Sequence, residues 1–119
     1  GFTQASHILL LVDSEDDLFL FNYARTRLGE QSMTIRICFI NEQVDKQLQS
    51  RIMNDFVQID SNKFVLDKPL TMNTFIENKE TLLVMSYTTC EKLSKDQELF
   101  AKLPSLLIIR PRQLKVEKI

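Results

Sequence analysis

His7-Ile8-Leu9-Leu10-Leu11-Val12, followed at once by Asp13-Ser14-Glu15-Asp16-Asp17, sets five consecutive aliphatic side chains against a block of four carboxylates. An uninterrupted apolar run of that length, bounded by polar residues, reads as a strand buried on both faces. The acidic block that follows is what a helix start favours, with carboxylates where the macrodipole stabilises them. Leu18 to Leu28 then reads as a helix: Asp17, Phe21, Ala24 and Leu28 share one stripe, Leu20 widens its apolar part, and Gly29 is the stop. A strand that runs into a helix start is the first half of a β-α-β unit.

The pattern repeats along the chain. Met33–Ile40 is the second strand, β-branched and apolar. Gln43–Asn54 reads as a helix with Val44, Leu48, Ile52 and Met53 inward. Lys63–Asp67 is the third strand, ended by Pro69, and Leu70–Asn78 a short helix with Phe75 and Ile76 as packing residues. Thr81–Met85 is the fourth strand, Glu91–Leu103 a helix, and Ser105–Ile109 the fifth strand, ended by Arg110-Pro111. Buried strands alternating with helices predict a single doubly wound α/β domain with a five-stranded parallel sheet. The domain is expected over residues 7–111. Residues 1–6, which open on Gly1 rather than Met, read as a tag remnant and leader. Residues 112–119 read as a basic tail.

Composition narrows the function. The chain of 119 residues fits one domain, and its net charge of −1 argues against a phosphate-backbone binder, so no nucleic-acid partner is expected. No apolar run approaches the roughly 18 residues of a membrane span. Two cysteines are too few for a disulfide framework. Cys38 lies mid-strand and reads as core, whereas Cys90 reads as a more exposed loop thiol. Neither has a second cysteine or histidine at metal-ligand spacing, so no metal site is expected. His7 begins the first strand at the end away from the ligand crevice, which leaves nucleophile–histidine catalysis without a base.

In open parallel sheets, ligands sit beyond the carboxyl ends of strands at a switch point. That directs attention to two loops, Asp13–Asp17 and Ser86–Cys90. The first offers oxygen ligands for Mg²⁺ or a nucleotide, or else helix capping and a solvated loop. Asp13 stands out because it ends the buried strand. The second offers hydroxyls and a thiol, or else a turn that caps the next helix. The candidate ligand-binding residues are Asp13, Ser14, Ser86 and Thr88. The basic residues Arg110, Arg112, Lys115 and Lys118 fit an acidic partner or an anionic bilayer, or a solubilising terminus.

Leu11-Val12-Asp13-Ser14-Glu15-Asp16, with a helix reaching Tyr23-Ala24, resembles the start of universal stress protein domains. Leu82-Leu83-Val84-Met85 and Lys102–Pro111 resemble the end of such domains. A narrower resemblance is to the soluble cytoplasmic C-terminal domain of bacterial cation/proton (Na⁺/H⁺) antiporters, carried by Val12–Asp17, Asn22-Tyr23-Ala24-Arg25 and Met33–Ile40. The resemblance implies strand order 3-2-1-4-5 and a homodimer formed along the fifth strand, with Leu106 and Ile108 at the dimer edge. It also implies a membrane transport domain in the same chain, a place on the cytoplasmic side of the inner membrane, and a regulatory role without catalysis. Asp13 matches the family position at the adenine end of ATP. The family's glycine-rich loop after the fourth strand is missing, because Ser86–Gln97 holds no glycine. Adenine nucleotide is therefore expected to bind weakly or not at all, with no other cofactor.

Two further readings come from other classes. One is a stand-alone universal stress protein. The other is a two-component receiver on the same kind of fold, with Asp67 as phosphate acceptor, Thr88 as switch hydroxyl and Arg110-Pro111 in the place of a Lys-Pro pair. A small hydrolase or transferase ranks below both, because fold alone does not give function.

Overall fold

A computed structural model describes residues 7–27, 34–40, 43–70 and 81–111. Five strands, β1 (His7–Val12), β2 (Ile35–Phe39), β3 (Phe64–Leu70), β4 (Thr81–Ser86) and β5 (Ser105–Ile109), form one sheet in the order β3-β2-β1-β4-β5. All four pairings are parallel. The helices are α1 (Phe19–Arg27), α2 (Lys46–Ile52), α3 (Tyr87–Ser94) and α4 (Gln97–Ala101). This is the doubly wound α/β fold expected, in the expected strand order.

Alternation along each strand sends successive side chains to opposite faces, and both faces are covered. Ile8, Leu10 and Val12 of β1 join Ile35, Ile37 and Phe39 of β2 and Val84 of β4 in one core, packed against Phe21 and Ala24 of α1 and Leu48 and Ile52 of α2. Leu9 and Leu11 turn the other way, onto Cys38, Leu83, Met85, Cys90 and Leu93, with Leu99, Phe100, Leu103 and Leu106 around them. The unbroken apolar character of β1 follows from its central place: it has a strand on each side and a core on each face.

Several boundaries differ from the sequence reading. The helix expected over 43–54 begins at Lys46, capped by Asp45, whose Oδ1 accepts the Gln47 N–H at 2.9 Å. It passes into a wider π-helical turn, Met53–Val57. That turn carries Phe56 onto Phe21, stacked at 4.3 Å between ring centroids, while Phe64 meets Phe21 edge-on at 5.1 Å. The strand β3 runs through Pro69 instead of stopping before it. Proline is tolerated there because β3 ends the sheet order and, among the described residues, pairs with β2 alone. The register between β2 and β3 shifts between Arg36 and Cys38, so Cys38 pairs with Leu70. The single helix expected over 91–103 is two. The first starts at Tyr87, capped by Ser86; the second restarts at Gln97, capped by Asp96, whose Oδ1 accepts the Leu99 N–H at 3.1 Å. The helix expected over Leu70–Asn78 does not begin at Leu70, which is the last residue of β3; its remaining residues, with Leu28, Gly29, Met33 and the basic residues Arg112, Lys115 and Lys118, lie outside the described residues.

Candidate functional site

The carboxyl ends of β1 and β4, adjacent at the centre of the sheet, are joined by one buried carboxylate. Ser14 opens a 3₁₀ turn, Glu15–Asp17, through a reciprocal cap: its hydroxyl accepts the Asp16 N–H at 3.2 Å, and the Asp17 carboxylate accepts the Ser14 N–H at 3.3 Å. Asp17 Oδ2 also accepts the Asp13 N–H at 2.7 Å. The same side chain is only 3% exposed and reaches across to the end of β4. There the Ser86 hydroxyl donates to Asp17 Oδ1 at 2.6 Å. Ser86 has a single proton, spent on Asp17; the Thr89 hydroxyl, whose own proton goes to Asp17 Oδ2, lies 3.0 Å from the Ser86 oxygen. Thr89 also lies 3.2 Å from Asp17 Oδ2, and its N–H donates to the Ser86 oxygen at 3.1 Å. Asp17, Ser86 and Thr89 thus satisfy one another and close the crevice between β1 and β4.

Two ion pairs hold the Asp13–Asp17 loop from opposite sides. Lys92 of α3 reaches Asp13 Oδ2 at 3.0 Å, and Arg51 of α2 reaches Glu15 Oε1 at 3.1 Å. Arg51 also approaches Asp55 at 3.6 Å. These pairs are largely exposed and position the loop more than they stabilise it.

The residues expected to bind ligand are therefore distributed as follows. Asp13 is half-buried and paired with Lys92. Ser14 is an exposed cap. Ser86 is buried against Asp17. Thr88 is exposed and points no hydrogen-bonding atom at Asp17 among the described residues, whereas its neighbour Thr89 is buried there. The segment Ser86–Cys90 is not a loop: it is the last residue of β4 and the first turn of α3. Cys90 is correspondingly buried rather than exposed, and burial, with Glu91 adding a smaller effect, pushes its thiol up. Burial pushes Cys38 up to about 12. Neither is a poised nucleophile.

Sequence reasoning passed over Asp17 and Thr89 as site residues. Asp17 was marked by its place on the stripe with Phe21 and Ala24, a carboxylate on an otherwise apolar face. Thr89 was marked by its three-residue spacing from the capping Ser86.

A second feature opens on the other side of β1. A cleft of about 150 Å³ lies at the carboxyl ends of β1 and β2, walled by Val12, Phe39, Val44 and Leu48 and edged by Asp13 and Asp45. Among the described residues no group of three or more metal-ligating side chains forms.

The strand order also bears on the receiver reading, and corrects the assumption of a shared fold. Receivers have the flavodoxin-like order 2-1-3-4-5, which sets the third strand beside the first. Here β3 lies beyond β2. Asp67, a β3 residue whose side chain is outside the described residues, is therefore separated from β1 by a whole strand. Arg110, in the place of the lysine, lies over the Tyr87 ring at 3.9 Å.

At β5, Leu106 turns inward onto the second core, and Ile108 is 42% exposed. No helix among the described residues is long and apolar enough to cross a membrane. Compared with protein-family models, with curated proteins and with solved structures, the chain matches none.

Proposed function

We propose that the chain is a non-catalytic regulatory domain of the universal stress protein type, serving as the cytoplasmic tail of a cation/proton antiporter, with two copies joined along β5. The observation that carries the non-catalytic part is the closed crevice. The hydroxyls of Ser86 and Thr89, which would meet a phosphate at the start of α3, are spent on Asp17. A phosphate there would also face that carboxylate at close range, and the repulsion disfavours an anionic ligand. Nucleotide binding is accordingly lost or weak.

The assembly part is supported by the edge. The strand β5 ends the sheet order, and among the described residues no strand pairs with its outer side. An apolar, β-prone edge invites a second copy, and a two-fold axis would pair the same patch from each chain. The antiporter context follows from the sequence resemblance alone.

Light scattering on size-exclusion fractions tests the assembly. The wild type is expected to give a dimer mass at tens of micromolar, and Ile108→Lys a monomer. A wild-type monomer across that range, unchanged by the substitution, overturns the β5 dimer. Micromolar binding of Mg-ATP by calorimetry would overturn the closed-crevice argument.

A further inference from the structure

We propose that Asp17 is a latch that makes two distant chain junctions, β1–α1 and β4–α3, open and close as one unit, and so couples the loop Asp13–Asp17 to the carboxyl end of β5. The proposal rests on the reading of this domain as regulatory and names the route by which a change at the loop reaches the assembly edge.

Asp17 belongs to the first junction by sequence and to both by contact. Its carboxylate accepts the backbone N–H groups of Asp13 at 2.7 Å and Ser14 at 3.3 Å. It also accepts the hydroxyls of Ser86 at 2.6 Å and Thr89 at 3.2 Å, 69 and 72 positions further along the chain. All three side chains are buried. Opening one junction alone strands either a carboxylate short of donors or hydroxyls short of an acceptor, each away from water. Opening both together lets water reach every member, so the joint opening is the cheaper one. A second link joins the same two junctions, because Lys92 of α3 reaches Asp13 at 3.0 Å. The tie from Glu15 to Arg51 of α2 is exposed on both sides and is the weaker restraint.

The edge strand begins where the second junction ends. In the β4–β5 register Ser86 pairs with Ile109, and Met85 with the exposed Ile108. Tyr87, the next residue, lies under the Arg110 guanidinium at 3.9 Å. Leu93, further along α3, shares a core with Leu106. Release of Asp17 therefore loosens the residue that borders Ile109 and the first turn of the helix that packs on β5. The latch is an element with two arrangements whose balance both sites bias, which is what coupling between them requires.

Amide hydrogen exchange of the ¹⁵N-labelled chain tests the coupling, because each junction holds a reporter that a substitution in the other leaves its acceptor. Ser86→Ala removes a donor to Asp17 but keeps the bonds from the Asp13 and Ser14 N–H groups. Those two amides are nonetheless expected to exchange roughly tenfold faster, the weight of a hydrogen bond to a charged group. In the other direction, Ser14→Ala removes an exposed cap and does not threaten folding. It is expected to speed the Thr89 amide, across the sheet, about fivefold, the weight of an N-cap. The Gln47 amide, held by Asp45 outside the latch, should keep its rate in both variants. Acceleration confined to the substituted junction, or an equal acceleration at Gln47, would overturn the proposal. Light scattering on the same samples separates it from the dimer. A chain whose junctions exchange together yet stays monomeric removes the β5 dimer and leaves the latch. A dimer whose junctions exchange independently does the reverse.

Discussion

A carboxylate removed from water must be compensated by donors, and Asp17 has four: two backbone N–H groups from its own loop and two hydroxyls from the β4–α3 junction. Hydrogen bonds to a charged acceptor are worth more than neutral ones, and losing the charge while keeping the donors leaves some of them unmatched. Asp17→Asn is therefore expected to lower stability by about 2–3 kcal/mol, read as a lower midpoint of urea unfolding. Asp16→Asn, exposed one residue away, should stay within about 0.5 kcal/mol of the wild type. Equal effects from the two would show that Asp17 contributes only as a helix-start charge. The contrast also shows what is visible in a sequence. Four carboxylates within five positions look alike on paper; only the turn geometry decides which one faces inward.

At the scale of elements, the boundary between α3 and α4 carries its own test. Asp96 restarts the helix through its hydrogen bond to Leu99, and α4 presents Leu99 and Phe100 to the core beneath Leu106. Asp96→Ala should cost about 1 kcal/mol, the usual loss on removing an N-cap. Amide exchange of Leu99 and Phe100 should accelerate while that of β1 is unchanged; uniform acceleration would mean that α4 does not open by itself. The sequence made the strands legible because burial on both faces leaves unbroken apolar runs. It hid this helix break because Leu93 and Phe100, seven residues apart, stay in phase across it. Pro69 misled in a similar way. Read locally it terminates a strand, and only the place of β3 at the sheet edge shows that its missing N–H costs nothing there. The cleft beside β1 was only half legible: Asp13 stood out, but Asp45 and Leu48 join it only through the β2–α2 connection.

For the whole molecule, the two buried thiols set a pH dependence. Below the ordinary thiol value of about 8.5, Cys38 is neutral in both the folded and the unfolded chain. Above it the unfolded chain gives up the proton, while the folded chain keeps it to about 12. The unfolded state then binds fewer protons, so stability falls as pH rises across that window. Cys90, also raised, adds in the same direction. Urea midpoints measured from pH 8 upward should decline, and Cys38→Ala should decline less steeply. Parallel slopes would assign the alkaline loss to other groups.

The central position of β1 also has a consequence for biosynthesis. Its first partner, β2, ends at residue 39, and its second, β4, begins at residue 81. At roughly 5–20 residues per second of translation, the nascent chain spends seconds with the most aliphatic strand of the protein open along one edge. An open edge of that kind is a template for pairing with another chain. The ribosome-bound intermediate, rather than the finished domain, is thus the species for which a chaperone has most to cover.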